Sequence, residues 1–460
     1  MDGVNKTLAG TRDWFGAEER LRQQVIQIVR GIYESYGFEP LSTPAIEFQS
    51  VLYREESETA QRIFEVSIRT RGYIDYTVSS SRKPLGLRYD HTVPLARVVA
   101  QHAAELALPY KRYAIGPVWR PEKPQKDRSR EFWQVDFDTV GAPSLTADAE
   151  TVAVLCSVAD AVGLEDYSAI FNNRVLLDGM ATVIGAQTST QVTEMLRSWD
   201  KIGKTEFKKV PERLASAGLK PATVRRFTEA TEELRRLKGT NSEKVTFLRS
   251  RYQNRQVQEG LDEIEQLLGL VETYGNVASH LVFQPHLARG FAYYTGPVFE
   301  MVSSRSRSSF GGGGRFDHLI QALGGPDLPA TGASFGLERF VSLIQSEGRL
   351  TESSTNTQVF VTMFDQSQEF AKACTSIAHE VRSLGFKTEL YVGGESLGRQ
   401  LALADRKGIP AVVIIGPSEL SGGLVTIKDM RVQFVVKDPK SNQRTVARVE
   451  MGEVLREILG

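Results

Sequence analysis

Residues 131–141, EFWQVDFDTVG, alternate apolar and polar side chains, the pattern of a half-buried antiparallel strand. Strand-like RYAIGPVWR lies just upstream and GLRYDHTVPLAR earlier still, so the expected frame is an antiparallel sheet. Before them, residues 17–36 place Leu21, Val25, Ile28, Val29 and Ile32 at helical spacing. Gly37 ends that helix, and FEPLSTPAIEF continues extended under Pro40 and Pro44. Residues 144–162 read as a further helix. Strand-like sequence resumes at HLVFQPHLARGFAYYTGPVFEMV, passes through the glycine run Gly311 to Gly314, and closes on helix-forming LERFVSLIQ.

Between these strand-rich parts, about 180–270 is helical and polar. From Arg197 to Arg255 it carries 16 Lys/Arg against 7 Asp/Glu, a local excess of nine positive charges. This block is expected to be a helical insertion within an α+β domain spanning 1–350. TESSTNTQ, near 351–358, is a polar linker. Beyond it VFVTMF, a helix over 366–384, TELYV, a helix over 396–407 and AVVIIG alternate. That rhythm predicts a separate α/β domain over 357–460 with a mostly parallel sheet. Its charge is close to balance, 13 Lys/Arg against 12 Asp/Glu.

Over all 460 residues the 56 Lys and Arg match the 56 Asp and Glu. Net zero excludes a uniformly basic nucleic-acid coat but leaves room for local patches. With 41% hydrophobic and 24% charged residues the chain has the composition of a folded protein. Cys156 and Cys374 match no metal-ligand spacing, so no metal site is expected from them. They fit a reduced, cytoplasmic setting. The first residues hold no apolar h-region, and no run approaches the length of a membrane span, so no membrane partner is expected.

Three segments carry candidate chemistry. In WRPEKPQKDRSREFWQ, Arg120, Arg128 and Arg130 bracket a polar loop between two strands, with Glu122 beside the first and Phe132 just beyond. Guanidinium groups suit phosphate oxygens because they bond bidentately and stay charged, and an aromatic beside them can stack on a purine. FGGGGRFDHLIQALGG permits close backbone approach, but it matches neither a P-loop nor a dinucleotide fingerprint. In TGASFGLERF, small residues precede Glu338 and Arg339 at a helix start. Each segment taken alone also reads as ordinary structure: a solvated hairpin, a turn, and a close helix–sheet packing.

In order, they resemble the three motifs of class II aminoacyl-tRNA synthetases. GFEPLSTPAIE, with Pro44, is similar to motif 1, VWRPE followed by REFWQ to motif 2, and GASFGLERF to motif 3. ARGFAYYTGPVFE and GGGGRFDHLIQALGG resemble the two signature segments of the histidyl-tRNA synthetases. RYDHTVP, FNNRVLLDGM and SLGRQLALADRKGIPAVVIIG fit the same family, so the resemblance covers nearly the whole chain.

The resemblance implies activation of L-histidine with ATP and Mg²⁺ to an adenylate, then transfer to the 3′ end of histidine tRNA. It implies a homodimer built on motif 1 and a C-terminal domain of anticodon-binding type. Arg120 and Arg289 would flank the α-phosphate, while Arg128 and Arg339 would take the outer phosphates. Phe132 would stack on adenine and Glu122 would contact its amine. Asp90, Thr92 and Gln134 would hold the α-amino group, with Tyr293 nearby, and Asp138 and Tyr294 would face the imidazole. Gln125 would meet the tRNA acceptor end. His91, taken to lie on a strand between two ligands, should face away and be structural.

The chain departs from the family at Phe316, where Tyr is usual, and at Asp127 and Ser129 in the motif 2 loop. Its GTRDWFGAEE segment also lacks a usual Pro. These departures keep in view a paralogue activating an amino acid for a non-tRNA acceptor; the other alternative, a non-catalytic regulatory paralogue, is opposed by the anticodon-like domain and by the presence of both Arg120 and Arg289.

Overall fold

The computed structural model describes residues 6–53, 63–70, 73–75, 84–124, 128–202, 208–288, 293–306, 308–347, 355–432 and 442–460. By contacts it divides into one unit of Met1–Asp13 with Arg22–Leu350, and a second of Trp14–Leu21 with Thr351–Gly460.

The first unit is built on an eight-stranded sheet. Its strands, in chain order, are β1 (Glu39–Pro40), β2 (Tyr110–Trp119), β3 (Glu131–Val140), β4 (Ser168–Asn173), β5 (Leu281–Phe283), β6 (Pro297–Val302), β7 (Gly311–Arg315) and β8 (Ala330–Gly336). They lie in the order β1-β2-β3-β8-β7-β6-β4-β5. The six central strands are antiparallel neighbours, while β1 and β5 add in parallel at the edges. The expected antiparallel α+β architecture is therefore present.

The alternation in β3 sets the layers. Val135 and Phe137 point to one face and are fully buried. Helix α1 (Gly16–Ser35) covers that face with Val25, Val29 and Tyr33. The Tyr33 ring centroid lies 5.0 Å from that of Phe137, and its hydroxyl donates to the Val135 carbonyl at 3.1 Å. Gly37 ends the helix at φ +78°, returning Phe38 onto Phe137 at 5.4 Å. Gln134, Asp136 and Asp138 point to the other face.

β7 approaches β8 closely. A Cβ on Gly313 would stand 1.9 Å from the Gly332 carbonyl oxygen, which is why that strand is written in glycine. Helix α2 (Thr92–His102) follows a short strand, Leu85–Leu87, and corrects the reading of GLRYDHTVPLAR as one strand. Thr92 begins the helix, and Asp90 and His91 form the turn before it. Pro94 is tolerated because it falls in the first turn, where the missing N–H has no intrahelical partner. Helices α3 (Thr146–Ala161) and α4 (Leu337–Glu347) pack on β8 and β3. Among the described residues from Arg174 to Glu272 the regular structure is helical, in segments such as Pro221–Arg236 and Arg255–Glu272.

The second unit has strands β9 (Val359–Val361), β10 (Thr388–Leu390), β11 (Ala411–Ile414), β12 (Leu424–Asp429) and β13 (Gln443–Ala447). Their order is β10-β9-β11-β12-β13. Only the first three are parallel; β12 and β13 add antiparallel. The mostly parallel expectation is thus corrected to a mixed sheet: the chain turns back through the short helix Pro417–Gly422, and β12 pairs antiparallel with β11 instead of crossing over to a parallel position. Helices Gln368–Ser383, Leu397–Arg406 and Met451–Leu459 cover the apolar strands.

Replacing Phe137 with Ala empties the contact between α1 and the sheet. A loss of about 3–5 kcal/mol is expected, read from the shift of the urea midpoint at unchanged m-value.

Candidate active site

The polar face of β3 is the floor of a cavity of about 460 Å³. Residues on neighbouring strands face the same way in register: Arg112, Ala114 and Gly116 of β2 lie opposite Asp138, Asp136 and Gln134. On the other flank, Gly332, Ser334 and Gly336 of β8 oppose the same three. Small side chains on both sides leave room above the floor. At Gly332 the need is strict, since a Cβ there would come within 2.2 Å of Asp138 Oδ1.

At one end, Asp90 and Thr92 enter from the start of α2. Asp90 Oδ1 accepts the Val93 N–H at 3.0 Å, an arrangement that ties the carboxyl to the helix N-terminus. Gln134 Nε2 donates to Ser334 Oγ at 2.8 Å, and the Ser334 hydroxyl hydrogen-bonds the Asp136 carboxyl. Gln134 Oε1, Asp90 Oδ2 and Asp136 Oδ1 have no hydrogen-bond partner among the described residues. Tyr293 and Tyr294 close the far side, their centroids 4.8 Å apart. Phe316 packs edge-on to Tyr293 at 5.9 Å, so the residue that departs from the family pattern stands inside this wall.

The other end of the cavity is cationic. Arg120 lies over the Phe132 ring at 4.9 Å, and its Nε donates to the Tyr89 carbonyl at 3.3 Å. Glu122, Arg128 and Ser129 line the same end. Arg339 reaches it from α4 and donates through Nη1 to the Ser309 carbonyl at 3.4 Å. Neighbouring Glu338 is already engaged, accepting from the Trp133 N–H at 3.0 Å and from Arg22 Nη2 at 3.1 Å. The N-terminal loop braces the hairpin, with Arg130 N–H donating to the Gly10 carbonyl at 2.7 Å.

All the sequence-predicted site residues within the described segments line this one cavity: Asp90, Thr92, Arg120, Glu122, Arg128, Phe132, Gln134, Asp138, Tyr293, Tyr294 and Arg339. Arg289, Gln125 and Asp127 lie outside the described residues. His91 does not line the cavity; its Nε2 lies 3.2 Å from the Gly116 carbonyl, which accepts. Burial, aided by Arg88 and Arg112, pushes its pKa down to about 3, so it is neutral. Its orientation follows from the turn, not from strand alternation. The sequence does not single out Asp136 or Arg112, and it marks Ser334 only as one of the small residues before Glu338 and Arg339. Asp136 shares the alternate positions of Gln134 and Asp138 and was detectable by parity; Arg112 required the strand register.

Burial raises the pKa of all three floor acids. Asp136 is pushed up to about 8 and Asp138 to about 6, each opposed by Arg112, and Asp90 is raised as well. Among the described residues no group of three His, Cys, Asp or Glu could hold a metal ion, and no helix is long and apolar enough to cross a membrane.

A sequence model described as histidyl-tRNA synthetase matches residues 10–340, and one described as an anticodon binding domain matches 358–458. The histidine–tRNA ligase of Roseobacter denitrificans is 35% identical, the alignment covering 99% of this chain and 96% of that protein. That of Ruegeria pomeroyi is 34% identical, with 99% and 97% covered. The crystal structure of histidyl-tRNA synthetase from a Nostoc species superposes with a TM-score of 0.79 at 26% identity, covering 99% of this chain and 100% of that one.

The raised acids give stability a definite pH dependence. The fold favours neutral Asp136, so its contribution is complete below the ordinary value of 3.8 and is lost as pH rises through about 8. Asp136→Asn should therefore flatten the decline in unfolding free energy between pH 5 and pH 9. Parallel declines in variant and wild type, measured by urea titration, would contradict this.

Proposed function

The chain belongs to the histidyl-tRNA synthetase family, and from that premise we propose how the cavity performs the family's reaction. The protein activates histidine with ATP and joins it to histidine tRNA. The carrying observation is that one cavity gathers an acidic, aromatic-walled end and an arginine-rich end.

Adenylate formation is attack of the histidine carboxylate on the α-phosphate, with pyrophosphate leaving. The chain must bring two anions together and hold the charge that develops, which is work for fixed cations more than for a nucleophile. Arg120 is placed for that role, its backbone N–H donating to the Arg130 carbonyl at 2.8 Å across the hairpin. Arg289 acts on the same phosphate, and Arg128 and Arg339 hold the outer phosphates. The Phe132 ring, now covered by the Arg120 guanidinium, offers a stacking face for adenine, with Glu122 beside its amine. At the acidic end Asp90, Thr92 and Gln134 take the ammonium, with Tyr293 closing over it. Asp138 and Tyr294 meet the imidazole. A buried carboxyl placed to accept a ring N–H rejects phenylalanine and leucine strongly, because neither has a donor to offer it. Mg²⁺ would enter with ATP and screen the phosphate charge as pyrophosphate leaves.

The wider assignment follows the same reading. Residues 1–350 form the catalytic domain, 180–270 its insertion over the tRNA acceptor arm, and 357–460 the anticodon-binding domain. Gln125 meets the acceptor end, motif 1 builds a homodimer, and the enzyme works in the cytoplasm. Nothing among the relatives favours a non-tRNA acceptor or a regulatory paralogue.

Purified protein should exchange labelled pyrophosphate into ATP only when histidine is present, and then charge histidine tRNA. Exchange without charging would favour a different acceptor, and no exchange would overturn the reading. Arg120→Ala should slow exchange by about 100-fold or more. Arg289→Ala should slow adenylate formation far more than it weakens histidine binding; equal losses would remove its transition-state role.

A further inference from the structure

The cavity floor rests on a charge that does not line it. Arg112 sits on β2 directly opposite Asp138 and is completely buried. Its Nη2 lies 2.6 Å from Asp138 Oδ2 and donates to the His91 carbonyl at 3.1 Å. Its Nε and Nη1 have no hydrogen-bond partner among the described residues. A guanidinium wholly removed from water is costly, and hydrogen bonds satisfy only part of this one. What compensates is the concentration of acid around it.

Asp138 is faced by Arg112 from β2, by Asp90 from the turn before α2 and by Asp136 on its own strand, while the Tyr33 phenol of α1 lies on the opposite face of the sheet. β8 contributes only Gly332. Arg88 lies near Asp136 and His91 instead. Asp90 also feels Arg120, and Asp136 lies near Arg88, so of the three buried carboxyls Asp138 depends most on Arg112, which it alone touches.

We propose that Arg112 is a positioning residue for amino-acid recognition, holding the Asp138 carboxylate ionised and fixed so that it accepts an N–H of the substrate ring. This rests on the reading that Asp138 faces the histidine side chain. The neighbouring acids then divide their roles. Asp138, which Arg112 touches, is the one held as an anion, while Asp136, raised by burial and by the charge on Asp138, is the one that keeps its proton. Without Arg112, burial and Asp90 drive Asp138 further up. A neutral carboxyl accepts only through its carbonyl oxygen and without charge assistance, so the hydrogen bond to the ring N–H is weakened until rising pH removes the proton.

The test compares histidine and ATP KM values in pyrophosphate exchange for wild type, Arg112→Gln and Arg112→Lys at pH 7.5 and pH 9. Wild type should show a histidine KM that is flat over this range. Arg112→Gln should raise it by about 10-fold or more at pH 7.5, recover toward wild type at pH 9, and leave the ATP KM nearly unchanged. Arg112→Lys, which keeps the charge, should stay much closer to wild type and remains informative if the Gln variant does not fold. An unchanged histidine KM, a rise equal at both pH values, or a Lys variant as impaired as the Gln variant would overturn the proposal. Failure of wild type itself to exchange with histidine would instead overturn the reading beneath it.

Discussion

Everything in the first unit depends on the two-residue repeat of β3. Its odd-numbered residues Val135 and Phe137 bury against α1, and its even-numbered Gln134, Asp136 and Asp138 form the cavity floor. A slip of one residue would put two carboxyls into the hydrophobic core and two apolar side chains onto the floor. Pairing with β2 and β8 over nearly the full strand length holds that register. The core packing and the substrate pocket are thus opposite sides of one constraint.

The chemical consequence is a separation of charge within one cavity. Acids collect where small residues of β2 and β8 leave the floor open, and arginines collect at the hairpin end and at the start of α4. An amino acid has a cationic and an anionic end, and ATP is anionic throughout. On the proposed reading, the cavity's polarity orients the first and admits the second at one end only. Burial strengthens each of these interactions, since fewer waters screen them. It also makes the acids reluctant to ionise, and on the proposed reading the substrate ammonium favours the charged form of the acids beside it.

Much of this was legible in the sequence. Strand alternation, the Gly37 helix end and the motif order placed the antiparallel sheet and most of the cavity lining. What was lost needed three dimensions. Arg112 looks like any strand arginine until register sets it opposite Asp138, and His91 was assigned to a strand because the start of α2 was missed at TVP. The basic insertion shows a subtler limit. Its nine-charge excess ended at Arg255, yet helix Arg255–Glu272 supplies acids that pair with it: Arg249 meets Asp262 and Glu265, and Arg255 meets Glu259. Arg197 and Arg213 likewise meet Glu194, which lies just before the counted window. A one-dimensional window thus counted as surplus some charges that folding neutralises. An electrostatic role in tRNA binding belongs to particular side chains rather than to the total.

The central claim is that the even-numbered face of β3 is where the amino acid sits. A crystal structure of the protein with histidine bound tests it most directly. The account predicts the imidazole against Asp138 and Tyr294, the ammonium among Asp90, Thr92 and Gln134, and the carboxylate turned toward Arg120. Histidine bound elsewhere, or reversed so that its ammonium faces Arg120, would contradict it.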